Sequence, residues 1–116
     1  MRRVAVGART VWVPERRRER VRGLRGRPAL PRAEGLLLER CRSVHTFGMR
    51  FAIDAVVLDR RHRVVAVIAM RPRRLLRPRR RGRHVLEVAA GAGREWSLVI
   101  LPGLPRTSLG PHRLEA

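Results

Sequence analysis

Short apolar runs, each bounded by charged or turn-forming residues, recur along most of the chain, and this pattern predicts a mainly β structure. At two points the connection between successive runs is short, at Gly7-Ala8 and at residues 59–63, which predicts antiparallel hairpins there. Residues 36–38 and 43–47 are predicted as two further strands joined around residues 39–42. The predicted strands are residues 3–6, 10–13, 36–38, 43–47, 53–58, 64–68 and 84–88.

Two segments favour short helices instead. Pro14-Glu15 suits a first helical turn, because Pro loses no needed N–H there and Glu meets the positive end of the helix dipole. Gly23 can end this helix. Residues 89–97 are predicted to form the second helix, packed against the strands through Trp96.

The remaining segments read as loops. Residues 25–32 hold one Gly and two Pro, which is too many breakers for a regular element. Residues 70–83 contain eight Arg and two Pro, so they are predicted to be a solvated arm or long loop.

The length of 116 residues predicts one domain. Leu, Val, Ile and Phe together supply 33 of those residues, which is enough apolar material for a folded core despite the high charge. We expect a mainly β (α+β) fold, a single antiparallel β-sandwich or partly open barrel with one or two short helices. The domain is predicted to span residues 1–98, with a flexible C-terminal tail over residues 99–116.

The net charge is +19, from 28 basic residues that are all Arg against nine carboxylates. Such a chain is expected to attract polyanions at low salt. The absence of Lys favours a coding bias as the origin of the excess. The Arg-rich stretches 16–27 and 71–83 lack the aromatic residues that stack bases, so weak, salt-dependent binding to polyanions is the most that they predict.

Cysteine and histidine usage predicts no metal site. Cys41 is the only cysteine, which rules out an internal disulfide and a cysteine-based zinc site. The four His have no ligand spacing, and no cofactor-binding motif occurs. The N-terminus lacks the apolar stretch of a signal peptide and no run is long enough for a membrane span, so a soluble cytoplasmic monomer is expected.

His45 and Asp54 are the sharpest candidates for chemistry. A His and a carboxylate on neighbouring strands can form a base and its orienting partner. Ser43 shares a strand face with His45, so a Ser, His, Asp constellation can be drawn. The alternative is structural, with a partly buried His45 bonded to a backbone carbonyl and Asp54 accepting backbone N–H groups from an adjacent loop.

Other residues suggest a pocket. Glu87 lies between Leu86 and Val88 in an apolar strand, where an Arg50 partner would relieve the cost of burying its charge. Phe47, Met49 and Phe51 form one apolar row if the strand continues through Gly48, either as core or as a pocket wall. The candidate ligand-facing residues are Ser43, His45, Met49, Arg50, Asp54 and Glu87, with Phe47 and Phe51 in the pocket wall.

Five blocks in one order resemble the DUF192 family, also called UPF0127, a group of small prokaryotic domains without an established biochemical role. The resemblance runs from Thr10 to about Leu98 and supports the mainly β fold. In that family the turn at residues 59–63 often carries Gly where this chain has His62, a residue type that tolerates positive φ. The five blocks are residues 23–27, 34–38, 43–54, 58–59 and 85–91.

Three functional hypotheses follow. We expect a non-catalytic binding or accessory module rather than an enzyme. A small hydrolase-like enzyme using His45 and Asp54 is the first alternative. The second is an electrostatic binder of nucleic acid or an anionic surface, acting through the Arg-rich stretches.

Overall fold

The computed structural model describes residues 1–99, and within them the mainly β prediction is confirmed. The predicted tail, apart from Val99, lies outside the described residues. The elements are β1 Arg2–Val6, β2 Arg9–Val13, α1 Arg17–Arg22, β3 Glu34–Leu38, β4 Val44–His45, β5 Ile53–Leu58, β6 Val64–Met70, β7 Leu75–Leu76, β8 His84–Ala89 and α2 Gly93–Val99.

Six strands form the main sheet in the order β1-β2-β3-β8-β5-β6, and β4 pairs with β7 in a small second sheet. The main sheet is mixed rather than purely antiparallel, because β2 and β3 run parallel. A parallel pair needs a long crossover, and residues 14–33 supply it together with α1. Within residues 1–99 the sheet does not close into a barrel, since β1 and β6 are its two edges.

Both predicted hairpins form. β1 pairs with β2, β5 pairs with β6, and His62 in the second turn takes φ 63°. The two strands predicted around residues 39–42 do not pair with each other. β3 has β2 on one side and β8 on the other, so it has no free edge left for β4.

The prediction of a solvated arm or long loop over residues 70–83 is correct for most of this segment, which is exposed and irregular, but it misses two buried apolar residues. Met70 completes β6, and Leu76 is buried in β7. Thr46 anchors the arm, because its Oγ1 donates to the Arg71 carbonyl at 2.6 Å and accepts the Arg74 N–H at 2.8 Å. Most of the Arg side chains stay exposed while the main chain beneath them is held.

Both helices begin later than predicted. α1 starts at Arg17 because the Glu19 carboxylate accepts the N–H groups of Glu15 and Arg16 at 3.1 and 3.0 Å, ahead of the first turn. Gly23 ends the helix at φ 53°, as expected. α2 starts at Gly93 rather than at residue 89, because β8 continues to Ala89 before the chain turns.

The core has one layer on each face of the main sheet, because side chains alternate between faces along every strand. Val56, Leu58 and Val88 face α2 and pack with the fully buried Trp96. Trp96 Nε1 donates to the Arg32 carbonyl at 2.9 Å, which ties α2 to the loop before β3. The opposite face packs against the segment that follows α1 and against the small sheet, and its core includes Leu24, Leu36, Val44, Met49, Ile53, Ala55 and Val85.

Candidate functional site

A buried carboxyl group interrupts the apolar layer on the face of the sheet opposite α2. Glu87 lies in β8, opposite Leu36 on one neighbouring strand and Ala55 on the other. Its side chain therefore points away from α2, and the residue is only 3% exposed. Within residues 1–99 the Glu87 carboxyl group makes no hydrogen bond and no ion pair. The predicted ion pair with Arg50 does not form, and Arg50 is exposed.

Burial changes the protonation of Glu87. Removal from water raises the pKa of its carboxyl group to about 7, and no neighbouring charge opposes this shift. At neutral pH the group therefore exchanges between an uncharged donor and a carboxylate without a counter-ion. A ligand that interacts with only one of these forms selects it.

Glu87 lines a pocket of about 290 Å³ between the sheet and α1. Four of the six residues predicted to face a ligand meet there, namely Ser43, His45, Met49 and Glu87. The apolar walls include Leu24, Leu38 and Val44, and Arg side chains from α1 and the following turn supply positive charge. The complete lining is residues 20–25, Leu38, Cys41, residues 43–45, Met49 and Glu87.

Cys41 is a pocket residue that the sequence analysis missed, since it was considered only as a disulfide or zinc ligand. Its thiol donates to the Ser43 carbonyl at 3.0 Å. Burial raises the pKa of the thiol, Glu87 adds to that effect, and the guanidinium of Arg20 opposes it. The thiol therefore stays protonated near neutral pH, which makes it a poor nucleophile.

His45 lies on the exposed side of β4, opposite Leu75 of β7. Its Nδ1 accepts the Phe47 N–H at 3.3 Å, and the two rings lie 5.4 Å apart. This contact leaves Nε2 as the nitrogen that carries the proton in the neutral ring. His45 is thus bonded to the backbone, although to an amide rather than to a carbonyl.

The predicted row of Phe47, Met49 and Phe51 does not form. The chain turns after β4, with the Met49 N–H donating to the Thr46 carbonyl at 3.2 Å and Gly48 at φ 81°. The turn leaves Phe47 51% exposed, directs Met49 into the pocket and packs the half-buried Phe51 against the core. A Cβ at Gly48 would lie 3.0 Å from Arg25 Cδ, so the segment that follows α1 approaches this turn closely.

Asp54 lies on the other face of the sheet from His45. Its Oδ2 accepts the N–H groups of Gly91 and Gly93, at 3.0 and 2.9 Å, where the chain turns from β8 into α2. His45 lines the pocket on the opposite face. The structure thus does not assemble a His and carboxylate dyad, and Asp54 positions a loop.

A second titratable pair, also missed by the sequence analysis, lies beneath the turn between β5 and β6. The rings of His62 and His84 stack in parallel with their centroids 4.4 Å apart, and His84 Nδ1 accepts the Arg40 N–H at 2.9 Å. Burial, followed by the charge of His62, lowers the pKa of His84 to about 4. This stack joins the turn to the start of β8.

Two further kinds of site are not found in the part of the chain that the structure describes. No group of His, Cys, Asp and Glu within residues 1–99 has the geometry of a metal site. None of the helices there is long and apolar enough to cross a membrane.

Comparison with known proteins identifies the fold. The sequence profile of DUF192, described as "Uncharacterized ACR", matches residues 3–100. A Sinorhizobium meliloti 1021 protein, whose description proposes a transcription regulator, superposes with a TM-score of 0.65 at 18% identity, covering 81% of this chain and 82% of its own. A protein of unknown function from Novosphingobium aromaticivorans gives 0.63 at 16% identity, covering 80% and 74%. No curated protein matches the sequence.

Proposed function

The chain belongs to the DUF192 family, and from that starting point we propose that it is a non-catalytic binding module that holds a small ligand in the pocket above Glu87. The observation that carries this proposal is the Glu87 carboxyl group. It is 3% exposed, lies at a pocket wall, and has no hydrogen-bond or ion-pair partner within residues 1–99. Such a group costs stability unless something binds it.

The pocket lining indicates the chemistry of the ligand. The carboxyl group offers an ion pair to an amine, and the apolar side chains of Leu24, Leu38 and Val44 suit a hydrocarbon body. The Arg residues of the segment 20–25 would repel a simple cation but would attract an anionic group. The ligand is therefore a small zwitterion, with an amine at one end and a carboxylate or similar anion at the other.

Two observations support binding rather than catalysis. The thiol of Cys41 is held in its protonated form, and His45 has no carboxylate within its hydrogen-bonding environment to orient it as a base. The Cys41 thiol is therefore not activated as a nucleophile, and within residues 1–99 no carboxylate orients His45. The hydrolase-like alternative consequently has no specific contact in its favour.

The test uses 6-aminohexanoate as the probe, beside hexylamine and hexanoate, which each lack one charged end. Cys41 reports pocket occupancy because it is the only cysteine of the chain, so its rate of alkylation by iodoacetamide is unambiguous. A probe of this size is expected to bind in the millimolar range. The proposal predicts that 6-aminohexanoate slows alkylation at concentrations where the two truncated probes do not.

Glu87→Gln is the informative variant, and Glu15→Gln is its matched control, because the Glu15 side chain is exposed and outside the pocket. Glu87→Gln should remove the protection by 6-aminohexanoate, whereas Glu15→Gln should keep it. Equal protection by hexanoate and 6-aminohexanoate would show that Glu87 does not select an amine. No protection by any zwitterionic probe, including shorter homologues such as 4-aminobutanoate, would overturn the proposal.

A further inference from the structure

The outer edge of β6 is unusual for a chain in which 32% of residues are charged. All seven residues of β6 are uncharged, and Val65 and Val67 are 36% and 39% exposed. Within residues 1–99, β6 pairs only with β5, so one side of its backbone has no strand beside it. Unpaired N–H and C=O groups along such an edge can pair with a strand from another chain.

The regular part of this edge is residues 66–70. The pairing with β5 shifts where Val57 lies opposite Ala66 but Leu58 lies opposite Val64, so Val65 is an extra, bulged residue. Beyond the bulge, five residues pair with β5 in unbroken register. Five residues is the length of an ordinary strand and is enough to accept another.

A positively charged wall lies beside this edge. A groove of about 390 Å³ is lined by Val65, Ala66 and Arg79, Arg80 and Arg81. The backbone beneath these Arg residues is fixed, since the Gly82 N–H donates to the Arg79 carbonyl at 2.9 Å and the Arg83 N–H donates to the Leu58 carbonyl at 2.8 Å. The charge therefore has a defined position relative to β6.

Charge decides what can occupy the edge. A second copy of this chain would bring two Arg walls and two net charges of +19 together, which opposes edge-to-edge dimerisation. An extended acidic segment meets both features, because its backbone can pair with residues 66–70 and its carboxylates can contact the Arg wall. We propose that the β6 edge binds an extended acidic segment of another protein by strand addition.

The opposite edge of the same sheet is an internal control. β1 has the sequence Arg-Arg-Val-Ala-Val, so this edge also carries positive charge but lacks the uncharged five-residue run of β6. Strand addition at β6 should leave β1 unchanged. Purely electrostatic attachment of an acidic peptide shows no such preference between the two edges.

The experiment compares two ten-residue peptides with the same charge, one alternating Glu and Val and the other alternating Glu and Pro. Proline has no N–H and cannot pair along a strand. The Glu-Val peptide should bind about tenfold more tightly, because several backbone hydrogen bonds form. Its binding should slow hydrogen exchange at those amides of residues 66–70 that point away from β5, and not at the outward-pointing amides of residues 2–6.

Two variants with the same change in charge locate the site. Arg80→Glu alters the wall of the groove and should lower the affinity for the Glu-Val peptide about fivefold. Arg18 is an exposed residue of α1, and Arg18→Glu should change the affinity for this peptide less than about twofold. Equal affinity for the two peptides, or equal protection of both edges, would overturn the proposal. Slow exchange without peptide at those amides of residues 66–70 that point away from β5 would also overturn it, by showing that this chain or a second copy already covers the edge.

Discussion

Asp54 and Glu87 lie one residue out of register on neighbouring strands, yet their carboxyl groups face opposite sides of the main sheet. Asp54 Oδ2 accepts two backbone N–H groups at the start of α2. Glu87 has no such donor within residues 1–99 and faces the pocket. The first carboxylate stabilises the fold, and the second is available to a ligand.

Replacing Asp54 should destabilise the protein. Asp54→Ala leaves the N–H groups of Gly91 and Gly93 without an acceptor in a largely buried position, which costs about 3 kcal/mol of unfolding free energy. Asp54→Asn keeps one oxygen acceptor and should cost about 1 kcal/mol. Urea denaturation of the three proteins measures this difference. Equal losses in the two variants would show that the hydrogen bonds are not the cause.

The stability contributed by Glu87 depends on pH in a defined direction. Its pKa is raised from 4.5 to about 7 in the folded state, so the folded protein binds the proton more tightly than the unfolded chain. Stability from this group is complete below pH 4.5 and is lost as pH rises through 7. Glu87→Gln should therefore gain stability relative to the wild type between pH 5 and pH 8, by at most about 3 kcal/mol. A stability difference that stays constant across this range would contradict the assignment.

His84 acts in the opposite direction. Its pKa is lowered from 6.5 to about 4, so the unfolded chain takes up the proton first as pH falls. The fold should lose stability between pH 6.5 and pH 4, and His84→Gln should flatten this loss while keeping an acceptor for the Arg40 N–H. Thermal melts of both proteins across this range provide the test. Parallel pH profiles would rule out His84 as the titrating group.

Thr46 should control the accessibility of the Arg-rich arm. Thr46→Val removes the Oγ1 contacts to Arg71 and Arg74, and should destabilise the protein by about 2 kcal/mol. Trypsin cleaves after Arg, so limited proteolysis within residues 71–83 should become faster. Thr10→Val is a suitable control, because only the backbone of Thr10 has a hydrogen bond in this structure. Unchanged cleavage would mean that Thr46 does not anchor the arm.

Electrostatic attachment to polyanions predicts a specific dependence of the binding affinity on salt concentration. Binding to heparin and to single-stranded RNA should be similar and should fall steeply between low and physiological salt, because contacts to the charged backbone release counter-ions. Fluorescence anisotropy over a salt series measures this dependence. Tight binding that persists at high salt would require recognition that the Arg-rich stretches alone do not supply.

The sequence predicts features that depend on local patterns. The alternation in residues 53–58 and 64–68 locates the hairpin, and the position of Asp54 before an apolar run indicates a carboxylate that binds nearby N–H groups. Gly23 marks the end of α1. In each case the feature depends on residues that are close in sequence, or on a property that the residue type has in any protein.

Features that depend on distant pairing are not readable from one sequence. β4 has only two residues and pairs with β7 about thirty positions later, inside a segment whose Arg content suggests a loop. The pocket needs residues 20–25 and the segment that follows β3 to meet over β8, which places Cys41 and Glu87 in one lining. The residue types of the pocket were recognisable, whereas its geometry was not.

The most direct test of the central claim is isothermal titration of the wild type with 6-aminohexanoate at pH 6 and at pH 8, in buffers with different ionisation enthalpies. An amine pairs with the ionised form of Glu87, whose pKa in the free protein is about 7. We expect tighter binding at pH 8, and proton release on binding at pH 6. Both effects should disappear in Glu87→Gln. Affinity independent of pH, with no proton released and the same value in the variant, would show that Glu87 does not bind the amine.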